Sequence, residues 1–77
     1  MSETVEAQET ALAVLAEVSE RDVADLAPEQ DLVADLEIDS PKALQLLVLL
    51  EERLGIEIPD EDAARLESVA DVLAYVS

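Results

Sequence analysis

Apolar residues recur at helical intervals along most of this chain. Over residues 4–19, Val5, Leu12, Leu15 and Val18 form a stripe that Ala11 fills and Gln8 interrupts. Glu3, Glu6, Glu9, Glu17 and Glu20 surround it, the pattern of an amphipathic first helix. Early acids suit the positive amino end of a helix; Glu17 and Glu20 at the other end do not, and Arg21 is expected to offset them in part. Residues 1–3 precede the pattern and are expected to fray.

Residues 20–39 make a long connection, and connections of that length carry a function or some structure of their own. Val23, Leu26, Leu32 and Leu36 recur in it as expected anchors over a core, Pro28 breaks helix, and residues 31–36 suggest a short turn. Asp31 and Asp35 raise the idea of a calcium loop. Val33 and Leu36 stand where that loop needs a ligand and a glycine, which leaves solvated charge as the better reading.

A second helix is predicted over residues 41–54, with Ser40 as the N-cap and Pro41 at the first helical position, where its missing N–H costs nothing. Leu44, Leu47, Val48, Glu51 and Leu54 share one side in rough terms, and Leu46, Leu49 and Leu50 carry apolar character around most of the cylinder. Such a helix is either fully buried or has a second apolar face for a partner. Full burial is hard to arrange in 77 residues, so a core face and an exposed docking face are both expected. Gly55 stops the helix, and Ile56-Glu57-Ile58 alternates like a strand but is too short for a sheet. Pro59 opens a short third helix over residues 60–66 with Asp60, Glu61 and Asp62 at its amino end. Ser68 to Asp71 fits the looser capping box of a fourth helix that runs through Val76, with Val69, Val72, Leu73 and Val76 as its buried stripe. Tyr75, the single aromatic, reads as a packing residue at the rim. The pattern predicts an all-α, four-helix bundle, three helices longer and one short, with a long loop between the first two and residues 1–77 as one domain.

Composition removes several functions from this picture. A chain of 77 residues buries only about 60 % of its unfolded surface and is marginal in stability. With no Cys it has neither disulfide nor thiolate metal site, and with no His it lacks the commonest general base and metal ligand. No metal site and no catalytic residue are therefore expected, and the chain is not read as an enzyme. Twenty acids against four bases give a formal net charge of −16. Nucleic-acid backbones and anionic membranes would repel such a chain, whereas basic protein surfaces would attract it. Half the residues are hydrophobic and helically spaced, which excludes disorder. No run is apolar enough to span a bilayer and no signal segment opens the chain, so a cytoplasmic, monomeric protein is expected.

The remaining candidate for chemistry is the Ser40 hydroxyl, at a helix amino end whose N–H groups and partial positive charge suit a phosphate. For an arbitrary Ser-Pro the role would be capping alone. Here Asp35-Leu36, Asp39-Ser40, Leu44, Leu47, Glu51-Glu52 and Ile56-Glu57-Ile58-Pro59-Asp60-Glu61 together closely resemble an acyl carrier protein, in order and spacing over nearly the whole chain. The resemblance implies that Ser40, with Asp39 as the adjacent motif residue, is esterified with 4′-phosphopantetheine from coenzyme A, whose thiol carries acyl groups as thioesters. It implies as partners a phosphopantetheinyl transferase and acyl-loading and acyl-transferring enzymes with basic docking patches. The second helix would be the recognition surface, through Pro41, Lys42, Gln45, Val48, Leu49, Glu51 and Glu52. The aliphatic core could part to shelter an alkyl chain in family fashion, or could be a core and nothing more.

Residue 37 is Glu where the family usually has Gly, and residue 41 is Pro where it usually has Leu. Lys42 and Gln45 stand where acids are common, which suggests a carrier dedicated to one pathway and poorly used by general fatty-acid synthase enzymes; neutral drift on an exposed face is the competing reading. The pathway is left open among fatty-acid, specialised-lipid and polyketide synthesis. An aminoacyl or D-alanyl carrier, and an unmodified acidic interaction module with the carrier fold, are the alternatives.

The charge excess yields a first test. Added salt or millimolar divalent cation should raise the melting temperature by several degrees, because screening relieves repulsion among Glu51, Glu52, Glu57, Asp60, Glu61 and Asp62, and about 1 kcal/mol moves a domain this small by roughly 4–8 °C. A melting temperature that stays level or falls in salt contradicts this account.

Overall fold

The first helix, α1 (Glu3–Ser19), matches the expected span within one residue and packs against two later helices. Ala11, Val14, Leu15 and Val18 are buried between α2 (Ser40–Leu54) and α4 (Val69–Val76). The structure, a computed structural model, describes residues 3–77, with side chains from residue 5 onward. Of the residues expected to fray, Glu3 is already helical and the first two lie outside the described residues. Val14 joins the core, whereas Val5, expected in the stripe, is 41 % exposed. Gln8, two turns before Leu15, already donates from Nε2 to Leu73 O and Ser77 Oγ at the end of α4, so the stripe runs past the helix it packs on.

Each helix ends for a visible reason. Glu20 adopts a left-handed conformation (φ 59°) after α1, while Glu20 N–H donates to Glu17 O and Arg21 N–H donates to Ala16 O. That is the paired closure usually built on glycine. The acids at this end are neutralised from α2 rather than by Arg21: Arg53 pairs with Glu17 at 3.2 Å and Lys42 with Glu20 at 3.5 Å. Gly55 (φ 65°) ends α2 in the same left-handed region. The short α3 (Asp60–Ala63) is one turn rather than the expected two, because the chain tightens into successive turns, with Arg65 N–H donating to Asp62 O and Leu66 N–H to Ala63 O. The Ser68–Asp71 capping box is complete, with Asp71 N–H donating to Ser68 Oγ and Ser68 N–H to Asp71 Oδ2. Among the described residues there are four α-helices and no named strand, only an isolated antiparallel bridge between Asp31 and Ser68.

The connection from α1 to α2 is held as part of the bundle. Leu32, Leu36 and Ile38 are buried, and Leu26 packs at the edge of the core. Val23 is no anchor: it lies in a 3₁₀ turn (Val23–Asp25) and is 47 % exposed. The loop also satisfies the unpaired N–H groups of α4, since Val69 N–H donates to Gln30 O and Ala70 N–H to Pro28 O. Asp31 and Asp35 do more than carry solvated charge. Asp31 Oδ2 accepts from Val33 and Ala34 N–H, and Asp35 Oδ2 from Asp31 N–H at 2.7 Å, which closes the 31–36 turn.

Leu36 and Val23 therefore separate what looked alike in sequence. Leu36→Ala should cost about 2–5 kcal/mol, and Val23→Ala less than about 0.5 kcal/mol, read from urea-unfolding midpoints. Equal costs would mean that Leu36 is not held in the core.

Candidate functional site

The start of α2 is set by Asp39, not by Ser40 as the sequence suggested. Asp39 has extended dihedrals and its Oδ1 accepts from Lys42 N–H at 3.3 Å, while its carbonyl accepts from Ala43 N–H at 2.7 Å. Aspartate caps as well as serine, and its charge also meets the positive end of the helix dipole. Ser40 thus becomes the first helical residue and Pro41 the second, both places where a helix has no internal use for an N–H. The consequence for Ser40 is freedom. Its side chain is exposed, and its hydroxyl is bonded to no group among the described residues.

The approach to Ser40 is strained at one position. Leu36 and Ile38 are both buried, and the chain between them turns through Glu37 with φ 57°. Glycine enters this region freely, whereas another residue is disfavoured by roughly 1–2 kcal/mol. The departure at residue 37 therefore has a conformational cost. Arg21 compensates weakly, pairing with Glu37 at 3.7 Å while its Nη2 donates to Asp35 O at 2.9 Å.

Beyond Ser40, the expected docking residues fall on different sides. Pro41, Gln45, Val48 and Glu52 are exposed, and Val48 leaves 44 % of its surface in solvent. Leu49 is half-buried against the core, and Glu51 Oε2 accepts from Ile58 N–H at 2.8 Å. Lys42 lies about 200° around the helix from Ser40 and turns toward Glu20. Leu44, which shares a side of the helix with Val48, is 64 % exposed, one turn after Ser40 and one before Val48. The i, i+4 spacing of Ser40, Leu44 and Val48 was the signal that could have placed it.

Behind this face is an apolar cavity of about 80 Å³ lined by Leu32, Val33, Ile38, Ala43, Leu46, Leu47, Ala63 and Leu66. Ala43 brings it within one turn of Ser40. An apolar cavity of about 150 Å³ holds one benzene ring, so one of about 80 Å³ is closed to a long alkyl chain as it stands. Its far wall follows α3, where Tyr75 of α4 donates its hydroxyl to Asp62 Oδ2 at 2.8 Å. That hydrogen bond, then partial burial, then the charges of Asp62 and Glu51 raise the Tyr75 hydroxyl above its usual range. The raised value means that the bond is intact below the ordinary tyrosine range and is lost as pH rises through the folded value.

Residues 9–76 match the protein family described as the phosphopantetheine attachment site. The chain is 44 % identical over 64 residues to an acyl carrier protein of Helicobacter pylori (strain G27), covering 83 % of this chain and 82 % of that one. It is 41 % identical over 73 residues to a meromycolate extension acyl carrier protein of Mycolicibacterium smegmatis, covering 90 % of this chain and 74 % of the relative. A solved structure described as an acyl carrier protein of Mycobacterium tuberculosis superposes with a TM-score of 0.81 at 32 % identity, over 88 % of this chain and 90 % of that one.

The strain at residue 37 can be measured. Glu37→Gly should be more stable than Glu37→Ala by about 1 kcal/mol in urea unfolding, because both remove the Arg21 pair and only glycine relaxes the backbone. Alanine equal to or more stable than glycine would show that the left-handed conformation carries no cost.

Proposed function

The chain belongs to the phosphopantetheine-attachment family and is an acyl carrier, and from that premise we propose that the Ser40 hydroxyl is where its 4′-phosphopantetheine is esterified. The observation that supports this most is the division of labour between Asp39 and Ser40. Asp39 does the capping, so Ser40 keeps an exposed, unengaged hydroxyl at the positive end of α2. The residues fit the group: the helix end suits a phosphodiester, and Pro41 fixes the backbone beside it. Bound there, the group supplies the thiol on which an acyl chain is held as a thioester.

Ser40 acts as a substrate for a transferase rather than as a nucleophile of its own. The chain has no His to activate it, and the neighbouring Asp39 carboxylate is engaged by Lys42 N–H. Acyl carriers of this family work with synthase and transferase enzymes. Here Leu44 and Val48 supply an exposed apolar strip below Ser40, and Gln45 and Glu52 border it. A partner with apolar contacts and a basic rim would fit that strip. The Lys42 charge expected to exclude general enzymes is paired with Glu20, so partner choice rests on this strip more than on Lys42. The acyl chain enters the cavity behind α2 once its walls part, which would shield the thioester bond from water.

Ser40→Ala tests the assignment. Incubated with coenzyme A and a broad-specificity phosphopantetheinyl transferase, the wild type should gain one phosphopantetheine by mass spectrometry and the variant none. Helical content should be unchanged, and stability should fall by less than the roughly 1 kcal/mol typical of a lost cap, since Asp39 remains. An adduct on the variant would place the attachment elsewhere.

A further inference from the structure

The cavity is walled by the loop before α2, by α2 itself and by the segment from α3 to Leu66, and the last of these contributes no buried residue. Leu32 and Ile38 of the loop and Leu46 of α2 are buried in the core. The third wall, Ala63 and Leu66, belongs to α3 and the turns that follow it. The far end of that segment is fixed at Glu67, whose carbonyl accepts from Leu32 N–H and whose N–H donates to Asp71 Oδ2. Among the described residues, the α3 end makes no such bond except at Asp62. This helix is one turn long, has no buried residue, and begins at Pro59, which makes no side-chain cap. Among the described residues, the one side-chain hydrogen bond made by any residue of α3 is that from Tyr75 to Asp62. Its other end is firm, because α4 is anchored by fully buried Val69 and Val72 and by its capping box.

Leu66 faces space on both sides. It lines the inner cavity of about 80 Å³ and also an outer groove of about 320 Å³ shared with Asp62, Arg65, Asp71, Ala74 and Tyr75. Displacing Leu66 outward would join the two spaces, and the Tyr75–Asp62 bond spans the groove into which it would move. We infer that the Tyr75–Asp62 hydrogen bond is a latch on this wall that sets the length of acyl chain the cavity accepts. This rests on the reading that the acyl chain carried at Ser40 enters the cavity. Short chains need only small movements of the loop and α2 side chains with the latch closed; longer ones require it to open. Tyr75 is thus a specificity-determining residue without touching the attachment point.

The test uses the apo protein, to whose Ser40 a broad-specificity phosphopantetheinyl transferase transfers acyl-phosphopantetheine from butanoyl-, hexanoyl-, octanoyl- or decanoyl-coenzyme A with release of adenosine 3′,5′-bisphosphate. It is compared with Tyr75→Phe and Asp62→Asn treated alike. Each acylated form is referenced to its own unacylated holo form, so a general loss of stability cancels. Methyl NMR shifts of Leu46, Leu47 and Leu66 report entry, and thioester cleavage by hydroxylamine reports shielding. In the wild type the methyl response should level off at a shorter chain than in Tyr75→Phe. For the longest chain, cleavage of Tyr75→Phe should be slower by about fivefold, the factor set by one hydrogen bond of ordinary net strength. Asp62→Asn, which keeps an acceptor oxygen, should fall between the two. Methyl responses with identical chain-length dependence in wild type and Tyr75→Phe would overturn the latch and leave the entry of the chain standing. No methyl response to any chain in either protein would overturn both.

Discussion

Leu32, Leu36 and Ile38 come from a connection with no sheet and no α-helix of its own, yet all three are buried beside Leu15, Leu50 and Val72. Burying a side chain of this size contributes about 1.5–3 kcal/mol, while ordering each backbone residue costs about 1–2 kcal/mol. The loop stays in place because its anchors are closely spaced and its polar backbone is satisfied by α4 and by its own aspartates. This constraint reaches the candidate site directly. Leu36 and Ile38 hold Glu37 in its left-handed conformation, Asp39 follows in extended backbone, and Ser40 emerges free at the helix start.

The distribution of the few cations complements that placement. Arg21, Lys42 and Arg53 each pair with an acid brought close by the fold, Glu37, Glu20 and Glu17 respectively. Exposed pairs of this kind add only about 0–1 kcal/mol each. Their larger effect is to keep positive charge at the α1 side of the bundle. The stretch from Glu52 through Glu57, Asp60 and Glu61 is left acidic except for Arg53, which is paired with Glu17. A field of one sign along the end of α2 and the start of α3 attracts basic partners and speeds their encounter.

A carrier also needs a part that yields. The anchored loop, α1, α2, α4 and Ile58 of the link after α2 supply the buried residues, while α3 contributes none and is a single turn. Segments with few buried contacts open at lower free energy than the rest of a domain. The weakest element is therefore also one that borders the cavity.

Much of this was legible in the sequence because helical periodicity, turn residues and capping patterns are local. The four helices, the Gly55 stop and the Ser68–Asp71 box all follow from neighbours within one turn. The choices that depend on what packs against what were decided only in three dimensions. Val5 belongs to the apolar stripe of the first helix yet is 41 % exposed, and Leu44 on an equally apolar helix is 64 % exposed, whereas Val14 and Ile38 are buried in the core. Ser40 and Asp39 are equally good caps by composition; in the folded chain Asp39 has the extended backbone of a cap and takes the role, which leaves the Ser40 hydroxyl free. Long-range partners such as Lys42 with Glu20 and Tyr75 with Asp62 have no local signature, because a side chain's reach is set by the placement of helices and not by spacing along the chain.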